Sequence, residues 1–172
     1  MKLWKGIIIG FVLALVLLAT SAWCYFSLGL APVATASQPM PFEKLLAHRA
    51  LHAVSAKAAG QPSPVDASEP NLLSAAAVYR HDCAVCHGLP DGQISDIAKG
   101  MFPRAPQLFH GKGVTDNPVG ETHWKIQNGI RLTGMPGFEG SLTQQQTWQV
   151  SQLLANADKL PASVKEELKR KD

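Results

Sequence analysis

From Gly6 to Phe42 the chain carries no charged side chain, and this run of 37 residues constrains the fold more than any other feature. Its centre, Ile7-Ile8-Ile9-Gly10-Phe11-Val12-Leu13-Ala14-Leu15-Val16-Leu17-Leu18, continues largely apolar to Leu30. A helix of 24 such residues rises about 36 Å at about 1.5 Å each, which covers a hydrocarbon core of about 30 Å with some tilt. Lys2 and Lys5 precede it, and the next basic residue is Lys44. The positive-inside bias therefore predicts a cytoplasmic amino terminus, with everything after residue 31 outside the cytoplasm. A cleaved signal peptide is the competing reading, with Ala34-Thr35-Ala36 as the peptidase site. Signal peptides have apolar regions of about 7–15 residues, shorter than this run, and the candidate site lies far from the Leu-rich centre. The expectation is an uncleaved anchor over residues 1–31. Cys24 follows bulky Trp23, outside any lipoprotein-type context, and reads as a small apolar residue of the membrane helix.

The exported remainder is more polar than the overall 46% hydrophobic content suggests. Sixteen basic against thirteen acidic residues leave no strong positive field, which excludes a nucleic-acid binder. Three cysteines cannot all pair, so a disulfide framework is not expected. Residues 32–70 read as a linker containing one helix at about 42–59, stopped by Gly60-Gln61-Pro62-Ser63-Pro64. His48 and His52 lie four apart on it, but no third metal ligand is near, so a solvated or docking surface is the better reading. Asn71 is expected to cap a helix running to Tyr79 and Cys83. A Gly/Pro-rich stretch without a period follows over 88–113. Asn117-Pro118 starts a short helix ending at Asn128-Gly129. A last helix is expected from Ser141 or Thr143 to about Lys159, ahead of Pro161, and a charged tail over 162–172 that frays. Strand signals are almost absent. The resulting domain, 71–161, is small enough to need a staple.

Cys83-Ala84-Val85-Cys86-His87 supplies one. This C-x-x-C-H spacing lets two thiols form thioethers with the two vinyl groups of one haem, while the adjacent imidazole reaches the iron. A thioredoxin-like redox pair needs a βαβ context that is missing here. A zinc site wants a second ligand pair, and this domain has no other cysteine. A disulfide across two residues is strained. One covalent haem c is therefore the expected cofactor, with His87 as one axial ligand. Candidates for the other are Met101, His110, His123 and Met135. Met135 stands in Gly134-Met135-Pro136-Gly137-Phe138, a turn able to present a thioether, 48 residues after His87. Met101 reads as a gap filler against the ring or core, and His110 and His123 as surface or loop histidines. Two filled axial positions leave none for peroxide or oxygen, which argues for electron transfer rather than catalysis.

At these residues the chain resembles the class I, monohaem c-type cytochromes, in a bacterial form with an amino-terminal anchor. The resemblance covers about residues 71–160. Its landmarks, in order, are the helix ending at Tyr79 and Cys83, the haem run, the Gly-Met-Pro loop and a closing helix with Trp148. The stretches Tyr79–Gly88, Ala98–Pro103 and Trp124–Phe138 also look like that subfamily. It implies an all-α fold, a small cytochrome c domain wrapped around one covalent haem and preceded by a transmembrane helix and a short extra helix. It implies that Pro106, in Pro106-Gln107-Leu108, gives its carbonyl to the haem histidine, and that Trp124 or Arg131 contacts a haem propionate. Ala75 stands where glycine is common at the helix crossing, implying a slightly wider approach.

The expected function is transfer of single electrons between redox protein partners, such as a respiratory complex, terminal oxidase or dehydrogenase, at the bacterial inner membrane with the haem domain in the periplasm. The tether raises local concentration, so affinity for a partner can be modest. Residues 43–172 carry 14 basic and 13 acidic side chains, so docking through a haem edge is expected over charge steering. Alternatives are a fixed haem subunit of a larger complex, with the 42–59 helix as a docking element, and a haem sensor or peroxidase with labile Met135.

Overall fold

The computed structural model describes residues 2–90, 92–109 and 116–170. Among these the regular structure is helical, with no strand. The chain divides into two compact units, Met1–Lys44 and Leu45–Asp172.

The first unit is dominated by α1 (Lys2–Ser27). Within it Leu3–Ser27 is long and apolar enough to cross a membrane, its most apolar 18-residue stretch having a mean hydropathy of 2.5. Its large apolar side chains, among them Ile9, Phe11, Leu17 and Trp23, are all exposed. A helix apolar all round and uncovered by protein is suited to lipid rather than water.

The second unit is built on α3 (Glu69–Asp82), against which α7 (Gln144–Ala155) and α8 (Ala162–Lys169) pack. Leu72, Ala75, Ala76 and Tyr79 recur at helical spacing and are buried with Val150, Leu153, Leu154, Leu160, Val164 and Leu168. The two alanines let backbones approach closely. Pro70 stands in the first turn of α3, with Glu69 at its start and Arg80 and His81 at its end, matching the helix dipole at both ends. The helix begins three residues earlier than the sequence suggests. Ser68 is the boundary residue, and Asn71 is internal, its amide bonded to the Asp66 carboxylate and to Gln149. At α7 the expected Thr143 boundary carries a full capping box with Gln146. That helix stops at Ala155, short of Lys159, because the Asn156 side chain turns back onto the Gln152 carbonyl at 2.7 Å.

Within the charged tail, Ala162–Lys169 form α8 rather than a frayed end. Val164 and Leu168, one turn apart, close the core from α8, and Arg80 pairs with Glu167 at 3.2 Å. Two apolar residues at i and i+4 among charges were enough for a packed helix. The 42–59 helix also gains a role. It is α2 (Glu43–Ser55) followed by a 3-10 turn, Ala56–Ala58, and it meets α6 (Val119–Asn128). Ser55 is fully buried and donates to Glu121 Oε1 at 2.9 Å, while Lys125 reaches the same oxygen at 2.8 Å. Gly120 admits this approach: a β-carbon there would collide with the Ala58 and Gln61 carbonyls.

Candidate haem site

The site grows from the end of α3. Its last turn delivers Cys83, and the chain turns at once into α4 (Ala84–His87), a single turn in which Cys83 O accepts from His87 N at 2.9 Å. The i to i+3 spacing of one helical turn is what places two thiols and the following imidazole together. Gly88 ends the turn with φ 71, a conformation glycine adopts without cost. From below, the buried Tyr79 hydroxyl donates to the Gly88 carbonyl at 2.9 Å, and its ring meets Phe109 edge to face.

Cys83 and Cys86 are free, half-buried thiols. Burial pushes the Cys83 thiol up to about 12, with Asp82 and Cys86 adding to it. His87 is half-buried and its Nδ1 lies 2.8 Å from the Pro106 carbonyl. That contact assigns the proton to Nδ1 and leaves Nε2 as the ring nitrogen able to accept or to coordinate. Burial lowers the pKa of His87, opposed by the Pro106 bond, so the ring is neutral at neutral pH as a ligand must be.

The loop after α6 holds Met135. Gly129, with φ 68, has the Met135 carbonyl, Pro136 and Gly137 where a β-carbon would stand. Ile130 N donates to Met135 O at 3.1 Å, Thr133 Oγ1 donates to Ile130 O at 2.6 Å, and Met135 N donates to Thr133 Oγ1 at 3.1 Å. Phe138 N donates to Ile126 O at 3.0 Å, closing the loop back on α6. Met101 packs its terminal methyl against Gly134, beside the Met135 backbone.

The residues fit a haem. Leu89, Leu108, Phe109, Met135, Phe138, Cys83 and Ala84 pack against the core yet keep part of their apolar surface uncovered. They come from the haem run, the Pro106 segment and the Met135 loop, and a flat apolar ring is the kind of group such a rim accepts. Trp124 is half-buried and Arg131 exposed. His110 lies outside the described residues.

One expectation is corrected. His123 is not a surface or loop histidine: it is buried, stacked on Trp148 with ring centroids 3.7 Å apart and 8° between planes, and 3.2 Å from Thr147 Oγ1. It stands three residues before Ile126 on the inner stripe of α6, which the more obvious Trp124 had concealed. Two further supports had no strong signature. One is α5 (Asp96–Gly100), capped by Ser95 inside the stretch without a period. The other is Gln107, whose Nε2 donates to the Cys86 carbonyl at 3.2 Å. The Ser-Asp pair at the start of α5 was the available signal for the first.

An all-helical unit organised around a Cys-x-x-Cys-His turn, with a methionine loop and an oriented histidine, defines a haem-binding electron-transfer domain. Residues 70–154 match the family described as cytochrome C oxidase, cbb3-type, subunit III. The chain thus carries a c-type cytochrome domain behind an apolar amino-terminal helix. No curated protein sequence matches it significantly.

Proposed function

We propose that the chain is a membrane-anchored monohaem cytochrome c that passes single electrons between redox partners. Cys83 and Cys86 would hold the haem covalently, and His87 and Met135 would be its axial ligands. The observation that carries this reading is the 2.8 Å contact of His87 Nδ1 with the Pro106 carbonyl, directly beside two free thiols. The bound haem supplies a one-electron iron couple. The protein fixes the imidazole tautomer through Pro106, pins the methionine loop through Thr133 and Ile130, and lines the site with apolar side chains that exclude water. Trp124 and Arg131 are the groups proposed for the propionates. Lys2 and Lys5 orient the anchor in the inner membrane so that the cytochrome domain lies on the periplasmic side.

A second reading has one observation in its favour. The matched family is described as a subunit of an oxidase, so residence in a larger respiratory complex stands beside the free carrier. Co-purification from mild detergent separates the two.

The test is a pyridine haemochrome assay with a reduced-minus-oxidised spectrum on the wild type and on Met135→Ala. Covalent haem in the wild type and an altered low-spin spectrum in the variant are expected. Absence of covalent haem refutes the reading, and an unchanged spectrum in the variant removes Met135 from the iron.

A further inference from the structure

The carbonyls of the attachment turn are each met by a donor, and the donors differ in origin. Cys83 O and Ala84 O are served from within, by His87 N and Gly88 N at 2.9 Å each. Val85 O accepts from the Ser95 hydroxyl, Cys86 O from Gln107 Nε2 at 3.2 Å, and His87 O from Leu108 N at 3.3 Å. Gln107 therefore sits between the residue that orients His87 through its ring and the residue that bonds its backbone. Its amide ties that whole segment to the turn.

The amide occupies a demanding position. Nε2 faces two carbonyls, Cys86 at 3.2 Å and Ala105 at 3.4 Å, so the amide orientation is dictated by its neighbours. Oε1 is buried with no hydrogen-bond partner among the described residues. It lies over Gly88, where a β-carbon would collide with it. An apolar side chain of equal size would fill this slot without stranding an acceptor. What the glutamine uniquely supplies is the donation to Cys86.

We propose that Gln107 is a positioning residue: its amide bond to the Cys86 carbonyl holds the Pro106 carbonyl on His87 Nδ1, and so sets the donor strength of the imidazole toward haem iron. This rests on His87 being the axial ligand. A carbonyl accepting from Nδ1–H raises the basicity of the imidazole and favours the oxidised metal. Loosening Pro106 weakens that effect and favours the reduced form.

The experiment uses the full-length protein in detergent, with Gln107→Met preserving length and volume. Pyridine haemochrome first counts the haem, and a spectroelectrochemical titration then measures the couple. Wild-type haem content is expected, with the reduced-to-oxidised ratio at fixed potential rising about threefold, a shift of about 28 mV at 59 mV per decade. The His87 Nδ1–H proton of the reduced variant should also exchange faster with solvent. Leu168→Ala, a core change in α8, should lower thermal stability and leave the couple in place. A haem-loaded Gln107→Met with wild-type potential overturns the proposal, as does an equal shift in Leu168→Ala. If Gln107→Met does not mature, Gln107→Glu, which keeps the shape and replaces the donor by an acceptor, decides on the same criterion. Wild type without covalent haem would instead refute the underlying site, and the proposal with it.

Discussion

Leu168→Ala tests whether the charged tail belongs to the fold. Leu168 has no exposed surface and closes the core with Val164 against α3. Truncation removes three carbons, at about 0.8 kcal/mol for each buried methylene, and leaves a cavity whose lining relaxes only in part. Measured Leu→Ala costs in cores span about 2–5 kcal/mol, so about 3 kcal/mol is expected here. A unit of this size loses about 3–6 °C per kcal/mol, which puts the melting temperature about 9–18 °C lower. A thermal melt by far-ultraviolet circular dichroism reads this directly, since α1 in detergent contributes only a baseline. Glu166→Ala, exposed on the same helix, serves as the control and should fall within about 0.5 kcal/mol of wild type. A shift below about 2 °C in Leu168→Ala, or equal shifts in both variants, would show that the tail frays and carries no core.

Two further changes probe the attachment of other segments. Lys125 and Ser55 bond the buried Glu121 carboxylate and hold its pKa below the ordinary 4.5, against the opposing effect of burial, with His52 adding a small attraction. The native state therefore binds this proton less readily than the unfolded chain. The stability it supplies is complete above that ordinary value and is lost as pH falls through the lowered one. Glu121→Gln should flatten this part of the stability profile in urea titrations between about pH 3 and 6, and an unchanged profile would remove the cluster from the account. Tyr79→Phe strips the buried Gly88 carbonyl of its donor and should cost about 1–2 kcal/mol, read as a lower urea midpoint at constant slope. A midpoint equal to wild type would mean that the carbonyl finds another partner.

Legibility followed the locality of the physics. The long apolar helix α1 was readable because a single property, absence of charge over a long run, suffices to define it. The Cys83–His87 turn and the Gly129 stop were readable because their chemistry lies within a few adjacent residues. His123 was misjudged because its environment is made by Trp148, 25 residues away, and no local pattern marks a histidine destined for an aromatic stack. Burial of α8 depends on just Val164 and Leu168, too thin a stripe to stand out from a charged background. Ser55 and Gly120 illustrate the same limit from the other side. A small polar residue and a glycine look unremarkable until two segments 65 residues apart are brought into contact.

In the proposed site, covalent attachment would need only Cys83, Cys86 and His87, which lie within five residues, so local sequence can specify them. Tuning an iron held there would call on further partners, and the groups placed for it come from three segments: Tyr79 on α3, Pro106 with Gln107, and Thr133 in the Met135 loop. Every one of these contacts ends on a backbone carbonyl or amide, or starts from one. Backbone groups are present at any residue, so the partner's identity is not written at the position it serves. A change in loop length between α5 and α6 would therefore disturb the imidazole without altering any residue of the Cys-x-x-Cys-His run. On the proposed reading, the identity of the cofactor would rest on five residues, whereas the behaviour of its iron would rest on the loops that return to them.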